Sequence, residues 1–383
     1  MIKNLKSFLY KREDVTNEEY DKTKTFKEIK VSEYTLEGRK ELFETTILNN
    51  TRELASKKST GRKTGSATLT MNLSKSILAS HSQLVESGLG QLTVASSPIT
   101  VTLVATDTIT VSSTSYVSGD IIQITADGVQ YNNLLVESAD ASSVTLRSPL
   151  TALEVTMINA ATTKTVKKVS KCAIGRPLQG YTYTLVAVFE DDSIEVLRGA
   201  GVAASFDITT DGQAKITFTF NGAELEWKDQ YGNEYLKPSG TITAETYNTP
   251  IYFNFKSSLL YDTVNEEDMS LFPQALMLKV AHTLQPNTLQ GGLNNLVGYY
   301  TQPSVECEAN FHYSNANRKI FSDTYENNTS QFYFCSQENF AFFAPRCQFV
   351  GANPADFNVY DSIQVMMNIN DDADNEPLVV LPQ

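Results

Sequence analysis

Residue types that could carry out chemistry are few in this sequence and widely separated. There are three histidines, and none has a partner at metal-ligand spacing: His81, His282 and His312. The acidic run at 371–374 offers the carboxylates that calcium prefers, but it lacks the glycine and the terminal glutamate of an EF-hand loop. We interpret it as a solvated turn, and we predict no catalytic, cofactor-binding or metal-ligating residue.

The cysteines and glycines give no enzyme signature either. Four cysteines occur without any CxxC pair, and they favour small buried side chains in a reducing compartment: Cys172, Cys307, Cys335 and Cys347. The sequence lacks GxSxG, HExxH and a phosphate-binding loop. Gly199-Ala-Gly201 is followed by a predicted strand rather than by a helix, which excludes a dinucleotide fingerprint. An enzyme is therefore not expected.

Charge and hydropathy limit the partners of the chain. Its 383 residues carry a net charge of −13, which argues against gripping nucleic-acid phosphates. This charge is compatible with simple solubility, or with a surface that nucleic acid slides past without sticking. No stretch approaches the roughly 20 apolar residues of a membrane helix, and the N-terminal apolar run is too short for a signal peptide. We predict no membrane association.

The elements that would position any site form a pattern that occurs twice. Residues 182–222 and 331–370 both show a hairpin, an arginine, a turn and a long alternating strand. Alternating runs rich in Thr, Val, Tyr and Phe are typical of β structure. An internal repeat without obvious chemistry indicates an architectural protein.

The repeat divides the chain into four parts. Residues 1–30 are highly charged and are expected to form an N-terminal arm, either mobile or ordered by a neighbouring subunit. A first module covers 31–90 and 171–240, with an amphipathic helix after the alternating strand 66–73. Short, evenly spaced strands in 91–170 predict an inserted small barrel or sandwich. The second module covers 241–383, with a short helix expected near 317–325.

Residues 49–65 are polar, basic and glycine-containing, which predicts a long exposed loop. Its basic residues stand out on an acidic chain: Arg52, Lys57, Lys58, Arg62 and Lys63. Two interpretations remain open, a solvated loop or electrostatic docking onto an acidic patch of a neighbouring copy.

Three segments together carry a family resemblance. They are Lys63–Ser74 followed by the helix, Tyr181–Phe189 with Leu197–Asp207, and Gly212–Gly222, which ends in the aromatic-x-Gly of Phe220-Asn-Gly222. This pattern resembles the phage tail tube proteins of the long non-contractile (siphovirus) type. The second copy keeps the order but replaces the glycine-rich end by Asn370-Asp371-Asp372.

The resemblance implies a mainly β fold with two tail-tube-type β-sandwich modules in tandem, each with one short helix, plus the small all-β insertion. Six modules would form a ring with a continuous inner barrel, so three chains would give a trimeric, pseudo-hexameric ring; a hexameric ring is the alternative. The ring-barrel strands would present one polar face: Lys215, Thr217, Thr219, Gln364, Met366 and Asn368. The basic loop would contact the next ring.

The same resemblance implies a structural virion protein in the phage tail, made in the host bacterial cytoplasm. Expected partners are further copies of the chain, the tape measure, terminator and tip proteins, and double-stranded DNA that passes through without specific binding. No cofactor is expected. Two alternatives remain open: a ring protein of the tail tip or baseplate hub, and a carbohydrate-binding adhesin module centred on 91–170.

Overall fold

The structure is a computed structural model, and it is mainly β, as the sequence predicts. It describes the following residues: 4–15, 18–48, 54–74, 77–93, 95–113, 115–147, 149–174, 181–209, 214–222, 224–228, 231–245, 257–262, 267–269, 273–281, 304–312, 331–337, 340–354, 362–370 and 378–380.

The described residues up to 245 form two helices and seventeen strands. These elements are β1 (Leu5–Arg12), β2 (Phe26–Ile29), β3 (Glu33–Leu48), β4 (Leu54–Asn72), α1 (Ile77–Gly88), β5 (Gly90–Thr93), β6 (Ile99–Val104), β7 (Thr108–Val111), β8 (Ile121–Ala126), β9 (Val129–Ala139), β10 (Ser143–Leu146), α2 (Ala152–Ala160), β11 (Lys164–Lys168), β12 (Lys171–Ile174), β13 (Tyr183–Phe189), β14 (Ile194–Thr209), β15 (Lys215–Gly222), β16 (Glu224–Glu226) and β17 (Ile242–Thr243). Eight strands follow in the described part of the remaining chain: β18 (Ser257–Asp262), β19 (Glu267–Met269), β20 (Pro273–Ala281), β21 (Ser304–His312), β22 (Gln331–Gln337), β23 (Phe340–Pro354), β24 (Ser362–Asn370) and β25 (Leu378–Val380).

Two sets of strands have the same antiparallel pairing order. In the first strand set the order is β2-β1-β13-β14-β15-β4-β3, and β16 also pairs with β14. In the second strand set it is β19-β18-β22-β23-β24-β21-β20, and β25 also pairs with β23. Each set also runs through its strands in the same chain order. The internal repeat found in the sequence thus corresponds to a repeat of pairing order.

The main core contains buried residues of both strand sets, most of them on β4, β13, β14 and β15 of the first. Tyr183 on β13 meets Phe220 on β15 edge-to-face, with ring centroids 6.4 Å apart. The predicted helix α1 closes one side, because Leu84 and Val85 lie on one helical face and are fully buried. Gly88, near its end, lets the helix approach β14, since a Cβ there would lie only 3.0 Å from the Ala204 side chain. The helix expected near 317–325 lies outside the described residues.

The N-terminal residues do not form a separate arm. β1 pairs with β13 and β2 of the same chain, and Phe8, Leu9 and Tyr10 are buried. Phe8 and Tyr10 pack into the main core, while Leu9 packs into a second cluster on the opposite face of the layer. The expectation for 1–30 was wrong because a strand covered on both faces needs only a short apolar run, which is hidden here between charged flanks.

The segment 91–170 contains a closed barrel of six strands, in the order β10-β7-β6-β11-β8-β9. The barrel has its own core, in which Ile109, Ile124 and Val166 are fully buried. Its helix α2, which was not expected, begins with a capping box between Thr151 and Glu154. The barrel starts and ends side by side, because β5 pairs with β12 at its base.

Candidate assembly interface

Strand β15 has one apolar and one polar face, as its alternation predicts. Its buried side chains are Ile216, Phe218 and Phe220, and its partly exposed ones are Lys215, Thr217 and Thr219. On the polar face, the Thr217 hydroxyl lies 3.0 Å from that of Thr70 on β4. Lys215 donates to Glu33 on β3 at 2.9 Å, and this bond raises the pKa of the lysine. The polar face therefore crosses β15, β4 and β3 as a continuous surface.

The corresponding strand of the second set is β24. It pairs with β21 so that three predicted ring-barrel residues face acidic or amide partners across the ladder: Gln364 opposite Asn310, Met366 opposite Glu308, and Asn368 opposite Glu306. Glu306 is exposed, whereas its neighbour Cys307 is buried. Alternation along β21 thus separates an exposed acidic position from the core, as in the first set.

The two strand sets join edge to edge within one chain. The C-terminal half of β14 pairs with β20, from Ser205 opposite Lys279 to Thr209 opposite Ala275. At the centre of this joint Phe206 lies opposite Leu278, and both are buried. Eight strands therefore follow one another in the order β3-β4-β15-β14-β20-β21-β24-β23.

Both ends of this eight-strand row are open among the described residues. β3 pairs only with β4, and the C-terminal half of β23 pairs only with β24. Tyr34 on β3 shows the consequence: it is 41% exposed, although its ring packs edge-to-face on Phe8 at 5.2 Å. Leu278, at the matching position of β20, is 0% exposed because β14 covers that edge. An open edge is a template for pairing with another strand.

The predicted basic loop at 49–65 is instead the end of a long β hairpin. β3 and β4 pair as far as Leu48 opposite Leu54, while β15 accompanies β4 only from Gly65 onwards. The two-stranded part, here called the hairpin arm (39–64), extends roughly 30 Å beyond the sheet. The loop expectation was wrong for 54–65, because two strands that pair only with each other need no apolar alternation, and their composition is then that of a loop.

The hairpin arm carries the predicted basic residues. Lys57, Lys58 and Lys63 lie in β4 opposite Thr45, Glu44 and Lys40, and Arg62 lies at the irregular step of the ladder. Arg52 lies outside the described residues. The arm has seven Lys or Arg and three Glu, hence a net charge of +4, on a chain whose total is −13.

The barrel packs on the outside of the second strand set. Along β23, Phe340 and Phe342 point into the main core, whereas Ala341 and Phe343 contact Ile121 and Leu135 of the barrel. At the base of the barrel, Asp120 is buried and binds two lysines, Lys168 at 2.6 Å and Lys171 at 3.0 Å. Burial alone would raise the pKa of Asp120, but these two lysines lower it on balance.

A contact across this junction fixes the barrel further. Asn133 has the positive φ of 58° that asparagine tolerates, and its side-chain amide donates to the Phe340 carbonyl at 3.1 Å. In addition, β12 at the barrel base pairs with β25 of the second set. The barrel is thus attached to the second strand set at β23 and β25.

The residues considered for chemistry lie apart from one another. His81 is buried in α1, where Tyr10 Oη lies 3.0 Å from Nδ1 and Glu245 Oε1 lies 3.2 Å from Nε2. His312 ends β21, and His282 and the acidic run 371–374 lie outside the described residues. Three described cysteines are buried: Cys172, Cys307 and Cys347. Within the described residues, no three His, Cys, Asp or Glu side chains cluster as metal ligands would.

Comparison with known proteins adds no family. No family model matches the chain, and no curated protein matches it significantly. Among the described residues, no helix has the length and apolarity required to cross a membrane.

Two features of the interface were not apparent from the sequence. One is Tyr34 at the open edge, and the other is the β3 half of the hairpin arm, residues 39–48. The available signal was the segment Leu42–Leu48, which is rich in the Thr, Ile and Phe that favour strands.

Proposed function

We propose that this chain is a structural virion protein that polymerises into stacked rings and forms the tube of a phage tail, the conduit for DNA ejection. The single observation that carries the proposal is the edge-to-edge joint between two strand sets of the same pairing order. Inside the chain, an edge of the first strand set pairs with an edge of the second. The equivalent edges, β23 and β3, lie at the two ends of the eight-strand row and are unpaired among the described residues. Such a head-to-tail interface generates a ring when its rotation closes.

The ring would close by pairing β23 of one copy with β3 of the next. By position in the pairing order, β23 of the second strand set is equivalent to β14 of the first, and β3 is equivalent to β20. When residues are counted along the paired strands, Ala352 is equivalent to Phe206, and Tyr34 is equivalent to Leu278. Ala352 of one copy would thus lie opposite Tyr34 of the next, and Tyr34 would become covered.

Three copies would supply six such modules and a continuous inner barrel. Each strand set is then one tail-tube-type β-sandwich module, and all edges of the row are paired, which removes the aggregation hazard of an open sheet. The barrel segment contacts the N-terminal half of β23, which pairs with β22 and β25 rather than within the eight-strand row, and this supports an external position for it.

The polar face of the row would line the lumen. Its described acidic residues outnumber its lysines, and they are exposed or partly exposed: Glu33, Glu37, Asp207, Glu306 and Glu308. Threonines on β4 and β15 fill much of the remainder. A surface of this kind repels phosphates and offers no release of counterions, so DNA would pass without being held.

The hairpin arm favours stacking over a single ring. It projects beyond the sheet, and its net positive charge contrasts with the acidic remainder of the chain. Electrostatic complementarity between an arm and the acidic surface of the next ring would orient successive rings. The alternative with the same fold is a ring protein of the tail tip. Such a protein forms a single ring, so it would have no next ring for the arm to contact.

Negative-stain electron microscopy of the purified, concentrated protein tests the proposal. We expect stacked rings with a central hole and threefold end-on views. Persistent single rings would assign the protein to the tip or hub instead. A protein that stays monomeric when concentrated, and also when mixed with isolated tail tips as initiators, would refute ring formation.

A further inference from the structure

The joint between the two strand sets has a second, outer layer. The inner layer is the pairing of β14 with β20, and the outer layer is the pairing of β12 with β25. Both β20 and β25 belong to the second set. β20 is covered by β14 of the first set, and β25 is covered by β12, which lies outside the pairing order of the first set but belongs to the predicted first module (171–240) and contributes Cys172 and Ile174 to the main core. Their counterparts in the first set are β3 and β16, and among the described residues neither has a partner on that side. Two open edges therefore coincide on one side of the molecule.

The correspondence between β16 and β25 extends to single residues. Glu226 lies opposite Val196 of β14, as Val380 lies opposite Ala341 of β23. Val380 is buried against the base of the barrel, in one cluster with Ile121 and Leu135. Trp227 directly follows Glu226, and it is 60% exposed. It is the only tryptophan of the chain.

The chain around Trp227 is held by hydrogen bonds to neighbouring residues. The chain folds back after it, since Lys228 pairs with Glu234 and the Tyr235 amide donates to the Trp227 carbonyl at 3.2 Å. Tyr235 packs against the buried cluster that contains Leu9 and Val196, and its hydroxyl donates to Glu226 at 3.0 Å. Arg198 binds the same carboxylate through two nitrogens, each at 2.9 Å. An exposed tryptophan held in place by its neighbours has the properties of an interface anchor.

We propose that Trp227 is the outer-layer anchor of the contact between copies, and that it packs against the second strand set of a neighbouring copy of this chain. The occupant follows from continuity with the joint inside the chain, because the counterpart strand β25 is covered there by β12 of the adjoining first module. This inference rests on the proposed function, and it adds a specific residue and layer to it.

The single tryptophan makes a direct measurement possible. Fluorescence emission and iodide quenching are recorded while the wild-type protein assembles, with electron microscopy of the same samples. We expect a blue shift of the emission and a loss of quenching that follow ring formation. Rings that form without either change would overturn the role of Trp227 and leave the proposed function intact. A protein that never assembles, even with tail tips added, would overturn both.

Two variants separate anchoring from folding. Trp227→Ala is expected to weaken association between copies about thirtyfold, the effect of truncating an interface anchor, with an unchanged far-UV spectrum. Leu153→Ala is the matched control, because Leu153 is 69% exposed but lies on α2 of the barrel, away from both open edges. Equal assembly of Trp227→Ala and the wild type would contradict the inference.

Discussion

The substitution Tyr34→Ala tests the inner layer of the contact between copies. Tyr34 is 41% exposed, whereas Leu278 at the matching position inside the chain is fully covered. An aromatic side chain buries about 200 Å² when fully covered, so ring closure would remove roughly 80 Å² from water. At ~25 cal/mol per Å² this burial contributes about 2 kcal/mol per contact. The variant should therefore associate about thirtyfold more weakly.

Part of the effect falls on the single copy and is measured separately. The ring of Tyr34 packs edge-to-face on Phe8, a contact worth ~1 kcal/mol that the variant also loses. Urea unfolding gives this loss, and sedimentation velocity over a concentration series gives the association. Leu103→Ala is the control, because Leu103 is 58% exposed on β6 of the barrel. If folded Tyr34→Ala forms rings at wild-type concentrations, the reasoning about the open edge is wrong.

Three further predictions concern the arm, the barrel and a thiol. Deletion of 42–60, closed by a short glycine turn, should leave single rings that no longer stack, as seen by electron microscopy; long tubes from this variant would contradict the role of the hairpin arm. Because the folded-state pKa of Asp120 is lowered, its ion pairs stabilise the fold above its ordinary value of about 4 and are lost as the pH falls through the folded value. Asp120→Asn should thus cost about 3 kcal/mol at pH 7 and flatten the acid limb of stability, measured by thermal unfolding; an unchanged acid limb would exclude this cause. Burial raises the pKa of the Cys172 thiol, so this cysteine should react with a thiol reagent only after unfolding, as measured by mass spectrometry, and rapid labelling of the native protein would contradict its burial.

The sequence predicted those elements in which a strand or helix has one buried face. The alternation of β15, with Phe218 inside and Thr217 outside, and the apolar stripe of α1 follow directly from the periods of two and 3.6 residues. The small β insertion was also recognisable, because its short strands are evenly spaced and carry their own apolar positions.

Two kinds of element were misread, a strand with two covered faces and a hairpin that extends beyond its sheet. β1 is covered on both sides, and in the hairpin arm β3 and β4 pair only with each other, so their sequences lack the half-buried pattern. Register was a further limit. In the sequence, Arg198 and Arg346 have the same place in the two repeats. In the structure the counterpart of Arg198 is Phe343, because Arg198 lies opposite the first residue of β16 and Phe343 lies opposite the first residue of β25.

The edges themselves had no signal in the sequence. Whether Tyr34 or Leu278 lies at an open edge depends on which strands meet, and this is decided by contacts far apart along the chain. The joint between the two strand sets was accordingly visible only in the structure.

A disulfide between copies tests directly whether β23 of one copy pairs with β3 of the next. The register of the internal joint places Asn353 of one copy opposite Glu33 of the next, as Asp207 lies opposite Met277. Opposed residues of an antiparallel pair have Cα atoms about 4.5–5.5 Å apart, within the range of a disulfide. Within one copy these positions lie at opposite ends of the eight-strand row, roughly 30 Å apart.

The variant Glu33→Cys/Asn353→Cys is assembled, oxidised and run on a non-reducing gel. We expect covalent dimers and trimers, and no species larger than three copies. The control Glu37→Cys/Asn353→Cys moves one cysteine roughly 13 Å along β3 and should remain monomeric. Monomers only from the first variant, or equal cross-linking in both, would contradict a ring closed by β23 and β3.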